Sequence, residues 1–404
     1  MKKTICALIV VVFLLTPVLF AKENLTCLYV STAGNDNNPG TEDKPFATLL
    51  RARDAIRQLK KEDLAAPIEV IISGGQYYLD KTLEFTPQDS GTIAFPITFR
   101  AAKGQRVVIR GGKIVTGWEK YKGRIYKADL KKQGLADVYF HQLFYKSPDE
   151  PFFKRQILAR FPNFDPEHPR TGGYLYMPRD PEKPREQLTY YKGSIPFEKW
   201  QDISQAEVFA AYQSGWHIAV KSIKSVDTSD CVINVDPVRL DFNKISRFFI
   251  QNVLDILDSP GEWCVDRKKG IVYFYPPDGD IENGQVIVPV IDHLVELKGT
   301  IPYPHSYLNT KWLKPREECP LSQNAPPMNP IKYITFKGLD FECARQDAIR
   351  MVGANNCQVI GCRITNVGNV GVNIGGLTTS FPEVGNPRNR VSGRRRWLWS
   401  DTAG

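Results

Sequence analysis

The sequence predicts an all-β protein: a right-handed parallel β-helix with an N-terminal capping helix and an inserted β-rich domain. Three observations point there. Between Tyr333 and Gly376 the pattern repeats after 23 positions, so that Gly338, Leu339, Phe341, Ile349 and Met351 recur as Gly361, Cys362, Ile364, Val372 and Ile374. Within each copy apolar residues alternate with polar ones, as in Ile334/Phe336 and Leu339/Phe341, which is strand and not helix spacing. Between about residues 117 and 288 the repeat is lost and aromatics and prolines crowd in. A coil of three short strands cannot bury its own inward side chains, so coils stack. Leu339, Phe341, Ile349 and Met351 are then expected beneath Cys362, Ile364, Val372 and Ile374.

The elements follow in chain order. Residues 1–21 open with Met1-Lys2-Lys3, carry an apolar run from Ile5 to Leu15 and end Leu19-Phe20-Ala21, the pattern of a signal peptide. A secreted or periplasmic protein is expected, with no membrane span in the mature form. Residues 22–116 hold the cap and the first coils. Leu28-Tyr29-Val30 reads as a strand, and the loop from Gly34 to Thr41 reads as turns, not as a calcium site, because Asp36 is its sole carboxylate. Thr48 is a natural N-cap for a helix whose Leu49, Ala52, Ile56 and Leu59 share one face. Ile68–Ile72, Tyr77–Leu79, Leu83–Phe85, Ile97–Arg100 and Val107–Arg110 read as coil strands. The helix would cover the open end of the stack, where core and backbone groups are otherwise bare.

Residues 117–288 form the expected insert, with strands at Glu207–Tyr212, His217–Val220 and Gly270–Tyr275. Asp258 and Glu262 flank Pro260-Gly261, and the reading prefers a tight turn anchored by a buried Trp263 over a catalytic carboxylate pair. Trp216-His217 reads equally as a sugar-lining pair or a packed strand end. Residues 289–376 return to the coil, with a proline-rich loop from Ile301 to Pro330, and residues 377–404 form an irregular basic tail.

Charge and cysteine narrow the partners. Of the net +9, Lys2, Lys3 and the arginine-rich tail supply most, and the rest has no basic stripe, so nucleic acid is not an expected partner. Beyond Cys6, seven cysteines remain, an odd number without zinc-ligand spacing. Cys357 and Cys362 fall at inward coil positions and read as small buried hydrophobes. No metal or cofactor is expected.

Several stretches resemble a known family. Tyr29-Val30-Ser31, Gly34-Asn35-Asp36, Pro39-Gly40-Thr41, Pro45-Phe46-Ala47-Thr48 and Pro96–Ala101 resemble the N-terminal end of secreted pectin-lyase-like β-helix proteins. Ala159-Arg160-Phe161-Pro162-Asn163 and the run Asn252–Trp263, with Asp266, Gly270, Tyr273, Tyr275 and Pro276, resemble the insertion domain of glycoside hydrolase family 141. The resemblance covers about residues 27 to 376. It implies a glycoside hydrolase acting on plant cell-wall polysaccharide, with fucosidase and xylanase activities among the family's members.

Glycosidic cleavage ordinarily needs two carboxyls about 5–10 Å apart. On stacked coils, neighbouring rungs about 4.8 Å apart can supply such a pair. The candidate substrate-binding residues are Asp347, Arg350, Asn369 and Asn373, on or just before the last strand face. Asp347 is the one carboxylate among them, so the catalytic pair is unassigned. The resemblance implies further coils beyond Gly376, where the catalytic acids are expected. The tail, with Arg394-Arg395-Arg396 and no lysine, shows neither period nor alternation, which reads as a truncation with a frameshifted end. Little or no turnover is therefore expected. The alternatives are a polysaccharide lyase and a non-catalytic carbohydrate-binding or adhesion protein.

Overall fold

The structure is a computed structural model and describes residues 25–62, 66–178, 187–212, 218–236, 245–300 and 329–375. The signal-peptide stretch, Trp216-His217, Cys319, nearly all of the proline-rich loop and the basic tail lie outside the described residues.

Short β-rich segments separated by turn residues become strands of three parallel sheets. The first contains, in order, Thr26–Val30, Ile68–Ile72, Ile97–Ala101, Ile334–Lys337 and Gln358–Ile360. The second runs Gly75–Tyr78, Val107–Arg110, Leu339–Ala344 and Arg363–Val367. The third runs Leu83–Phe85, His293–Lys298, Asp347–Val352 and Val372–Gly375. Each circuit of the chain thus adds one strand to every sheet. The fold is all-β around this arrangement, with one α-helix at its start.

The register follows the 23-residue repeat. Phe341 pairs with Ile364, Ile349 with Val372 and Met351 with Ile374. Cys362 lies just ahead of its strand, and the ladder there begins with Asp340 against Arg363. Period-2 alternation turns Val70, Ile72, Phe99, Phe336, Phe341, Val295 and Ile349 inward, all fully buried. Phe85, Phe99 and Phe336 meet in the middle with ring centroids 5.2–5.7 Å apart. Leu49, Ala52 and Ile56 of the helix Leu49–Lys61 close one end of that core. Thr48 Oγ1 accepts from Arg51 N, and Asp36 receives Ala47 N, Thr48 N and Thr48 Oγ1 at 2.8–2.9 Å. The turn-rich loop therefore fixes the helix start.

In the second circuit the chain leaves after Arg110 and rejoins at His293. Gly112–Val115 and Gln285–Pro289 pair antiparallel as a neck. Beyond it lies a five-stranded sheet ordered Ile157–Leu158, Glu262–Asp266, Ile271–Phe274, Ile125–Asp129 and Glu119–Lys122. A six-stranded antiparallel sheet follows, with Ile245–Gln251, Glu207–Tyr212 and Ile218–Asp227 at its centre. This β-rich unit packs on the outer face of the second parallel sheet. Phe144, Phe153, Ile287 and Cys343 share an apolar cluster there, while Arg155 Nη2 donates to Val367 O at 2.7 Å.

Candidate functional site

Asp347 opens its strand at the corner between the second and third sheets, and two of the other three residues selected from sequence, Asn369 and Asn373, bond to it. Asn369 Nδ2 donates to Asp347 Oδ1 at 2.5 Å, and Asn373 Nδ2 donates to Oδ2 at 2.9 Å. Val370 N adds a third donor at 3.3 Å. Asp347 has no exposed surface, so in this arrangement it holds the two amides in place and meets no substrate itself. Asn369 and Asn373 lie nearer the surface.

Arg350 joins the group through a residue that sequence reading passed over. His293 lies opposite Asp347 in the ladder, with Nδ1 3.4 Å from Asp347 Oδ2. Its Nε2 is 3.3 Å from Arg350 Nη1. A guanidinium can only donate, so Nε2 is the acceptor and the ring proton sits on Nδ1, which lies 3.4 Å from Asp347 Oδ2 without making a hydrogen bond. Burial pulls the His293 pKa below its ordinary value despite the nearby Asp347 charge, consistent with that neutral tautomer. Arg350 Nη1 also stands 3.3 Å from Glu296 Oε1.

Glu296 changes the carboxyl count. Glu84, Glu296, Arg350 and Asn373 occupy one register position on four successive rungs of the third sheet. Two carboxylates therefore stand on neighbouring rungs of one face, about 4.8 Å apart at the backbone. Glu84 is partly exposed and lies 3.6 Å from Lys298 Nζ. Asp347 is still the one carboxylate among the four sequence candidates, and the earlier rungs add Glu84 and Glu296 to the third sheet. The proline-rich loop falls between the two rungs, so Glu296 shares no 23-residue spacing with Arg350.

The insert forms a second wall beside this corner. Tyr139, Phe140, His141 and Gln142 face Asp292, Arg345 and Gln346 across a cleft of about 340 Å³. Arg345 Nη1 donates to Tyr139 O at 3.1 Å, and its Nε is 3.0 Å from Asp292 Oδ1. The Tyr139 hydroxyl contacts His141 Nε2, and His141 Nδ1 is 3.7 Å from Glu207 Oε2. Desolvation lowers the His141 pKa. The cleft combines hydroxyl, imidazole, amide and carboxylate groups.

Elsewhere, Glu262 is buried and faces the turn. Its Oε1 accepts from Arg160 N, and its Oε2 from Asp258 N and Ser259 N, each at 3.3 Å. Burial raises its pKa to about 7. Trp263 is fully buried and stacks on Phe140 at 5.7 Å. Cys357 and Cys362 are half-buried against the coil core, with thiol pKa values pushed up by burial.

No family model matches the chain. Over 111 residues it is 39% identical to the uncharacterized protein YwoF of Bacillus subtilis (strain 168), a match covering 27% of this chain and 21% of that protein. A solved structure titled a glycoside hydrolase aligns with a TM-score of 0.66 and 21% identity, covering 86% of this chain and 63% of the other. The chain thus matches about a fifth of the Bacillus protein and less than two thirds of the glycoside hydrolase. A complex of XylC with xylose aligns at 14% identity over 84% of this chain and 42% of that one. Its TM-score of 0.31 establishes no likeness of fold. The 0.66 alignment shows a shared fold.

Proposed function

We propose that this is a secreted, carbohydrate-active protein of the glycoside hydrolase type, wound as a right-handed parallel β-helix. Plant cell-wall polysaccharide would lie along the outer face of the third sheet. One observation carries the reading: carboxylate, carboxylate, guanidinium and amide line up on successive rungs as Glu84, Glu296, Arg350 and Asn373. Sugar hydroxyls are matched by such mixed donors and acceptors. The shared fold and the resemblance to family 141 support it.

In this reading Asn373, Asn369 and Arg350 bind the glycan, while Asp347 and His293 hold them. In place of acids beyond Gly376, hydrolysis would fall to Glu84 and Glu296 of the rung line, one protonating the leaving oxygen and the other attacking or activating water. Arg350 orients Glu296. The test is incubation of the full chain with xylan, fucosylated pectin and their oligosaccharides. Binding or reducing-end release that Arg350→Ala and Asn373→Ala each weaken supports the reading. Wild-type protein that neither binds nor cleaves any of them overturns it. Release of an unsaturated, ultraviolet-absorbing product would instead favour a polysaccharide lyase.

A further inference from the structure

The insert has a groove of its own, separate from the rung line and the corner cleft. It measures about 590 Å³ and lies between the five-stranded sheet and the loops around Gln201–Gln205 and Leu254–Asp258. Tyr121, Tyr273 and Tyr275 line its sheet side. Tyr121 is the informative one. It sits in the edge strand Glu119–Lys122, where the pairing slips between Lys120 and Lys122, a bulge that adds Tyr121 as an extra residue. Such bulges re-aim one side chain out of the ladder. Here the ring leans edge-on against Tyr273, with centroids 4.9 Å apart, yet remains 46% exposed. Exposure alone does not single it out, since Tyr139, Tyr176 and Tyr191 are as exposed; its place does, on the wall of the groove beside polar groups, where a flat aromatic face suits a sugar ring.

The polar rim matches hydroxyls. Asp255 Oδ2 accepts from Gln201 N at 2.8 Å, Asp258 Oδ1 from Asn163 Nδ2 at 2.9 Å and Asp202 Oδ1 from Ser204 N at 2.8 Å. These bonds orient the three carboxylates at the rim; Ser259 Oγ also donates to Asp258 Oδ1, and the Ser204 side chain to Asp202. Asp266, the fourth, is occupied by Gln205 and Lys269. Lys122, Arg124 and Lys269 also line the groove, so carboxylates outnumber cations and an acidic polymer is disfavoured.

We infer that this groove is a second carbohydrate-binding site, taking a neutral oligosaccharide with one sugar ring against Tyr121 and its hydroxyls on Asp202, Asp255 and Asp258. It anchors substrate on the insert while the coil face works elsewhere on the chain. The inference rests on the carbohydrate reading above but not on its residues.

Hydrogen exchange of the full chain with and without xylo- and cello-oligosaccharides tests it, because the two sites report on different peptides. Protection over residues 119–129 and 254–258 is expected, lost in Tyr121→Ala with affinity falling about tenfold. Tyr121→Phe should keep it, since the ring and not the hydroxyl is the platform. Arg350→Ala should leave groove protection unchanged. Protection confined to residues 293–298 and 347–352 would overturn the groove and leave the coil reading standing. Groove protection alone would do the reverse. Protection at neither place would overturn both.

Discussion

Glu296 Oε1 and Arg350 Nη1 stand 3.3 Å apart on neighbouring rungs of the third sheet, with side chains only 13% and 15% exposed. At that depth the pair is neither a solvated surface bridge nor an isolated buried one. The same guanidinium nitrogen reaches His293, and His293 reaches Asp347. Acid, base and amides of the face are therefore held as one connected group.

Removing the Glu296 carboxyl tests its proposed chemistry. Glu296→Gln preserves shape and loses proton transfer, so turnover should fall at least ~100-fold while glycan affinity stays within a few-fold. Initial rates and calorimetric titration on the same oligosaccharide check this. Unchanged turnover would remove Glu296 from the reaction.

Glu262 gives the insert a pH dependence. Burial raises its pKa from 4.5 to about 7, and no cation pairs with it among the described residues. A raised acid pKa means that the folded state holds the proton more tightly than the unfolded one. Its contribution is full below pH 4.5 and is lost as pH rises through about 7, a difference on the order of 3 kcal/mol. Denaturant midpoints from pH 4.5 to 8 should fall more steeply in wild type than in Glu262→Gln. Equal slopes would show that Glu262 does not carry the effect.

The coils were legible because each turn repeats its backbone conformation as well as its apolar residues. Positive φ recurs at Tyr333 and Asn356, at Gly338 and Gly361, and at Cys343 and Asn366, each pair one repeat apart. The glycines advertise this most clearly, since glycine takes that conformation without strain, and asparagine, as at Asn356 and Asn366, takes it more readily than other residues. The earlier coils hide because Ile68 pairs with Ile97 over a longer step, and Ile97 pairs with Ile334 across the whole insert. For the same reason Asp347, Asn369 and Asn373 could be found from two adjacent coils, whereas His293 and Glu296 could not. Their partners are set by a ladder that local periodicity does not encode.

Trp263 was legible as an anchor, and its packing sets a cost. The indole is fully buried, stacks on Phe140 and shares a core with Phe274 and Val272. Trp263→Ala should destabilise the insert by about 3–5 kcal/mol. Trp263→Phe should cost less than Trp263→Ala because part of the volume is kept. Chemical denaturation of the three proteins, followed by far-ultraviolet dichroism, ranks them. A Trp263→Ala protein as stable as wild type would contradict this packing.

The last prediction concerns how the insert is held on the coil. Glu342 is 1% exposed and receives Arg110 Nε at 3.0 Å and Arg363 Nη2 at 2.6 Å, with Arg106 Nη2 at 3.5 Å. These arginines also face the insert. The Phe152 ring lies between the Arg106 and Arg363 guanidiniums, with centroid distances of 4.8 and 4.2 Å, and Arg110 sits 5.0 Å from the Phe153 ring. Glu342 shares these cations with Asp340, which takes Arg106 Nε at 2.8 Å and Arg363 Nη2 at 3.1 Å, and it alone of the two carboxylates pairs with Arg110. Glu342→Ala would leave Arg110 buried without its counter-charge, a change costing about 3–5 kcal/mol. Because Arg110 loses its counter-charge and Arg363 its shorter partner, their hold on Phe153 and Phe152 should loosen, and limited proteolysis should cut faster between residues 147 and 153. Replacing both partners, Arg110→Met with Glu342→Leu, removes the charge together with its counter-charge and should recover much of the stability. It cannot restore the Arg110 contact to Phe153, so cleavage should remain faster than in wild type. A Glu342→Ala protein with unaltered stability and cleavage would show that the rings and apolar cluster hold the insert without this carboxylate.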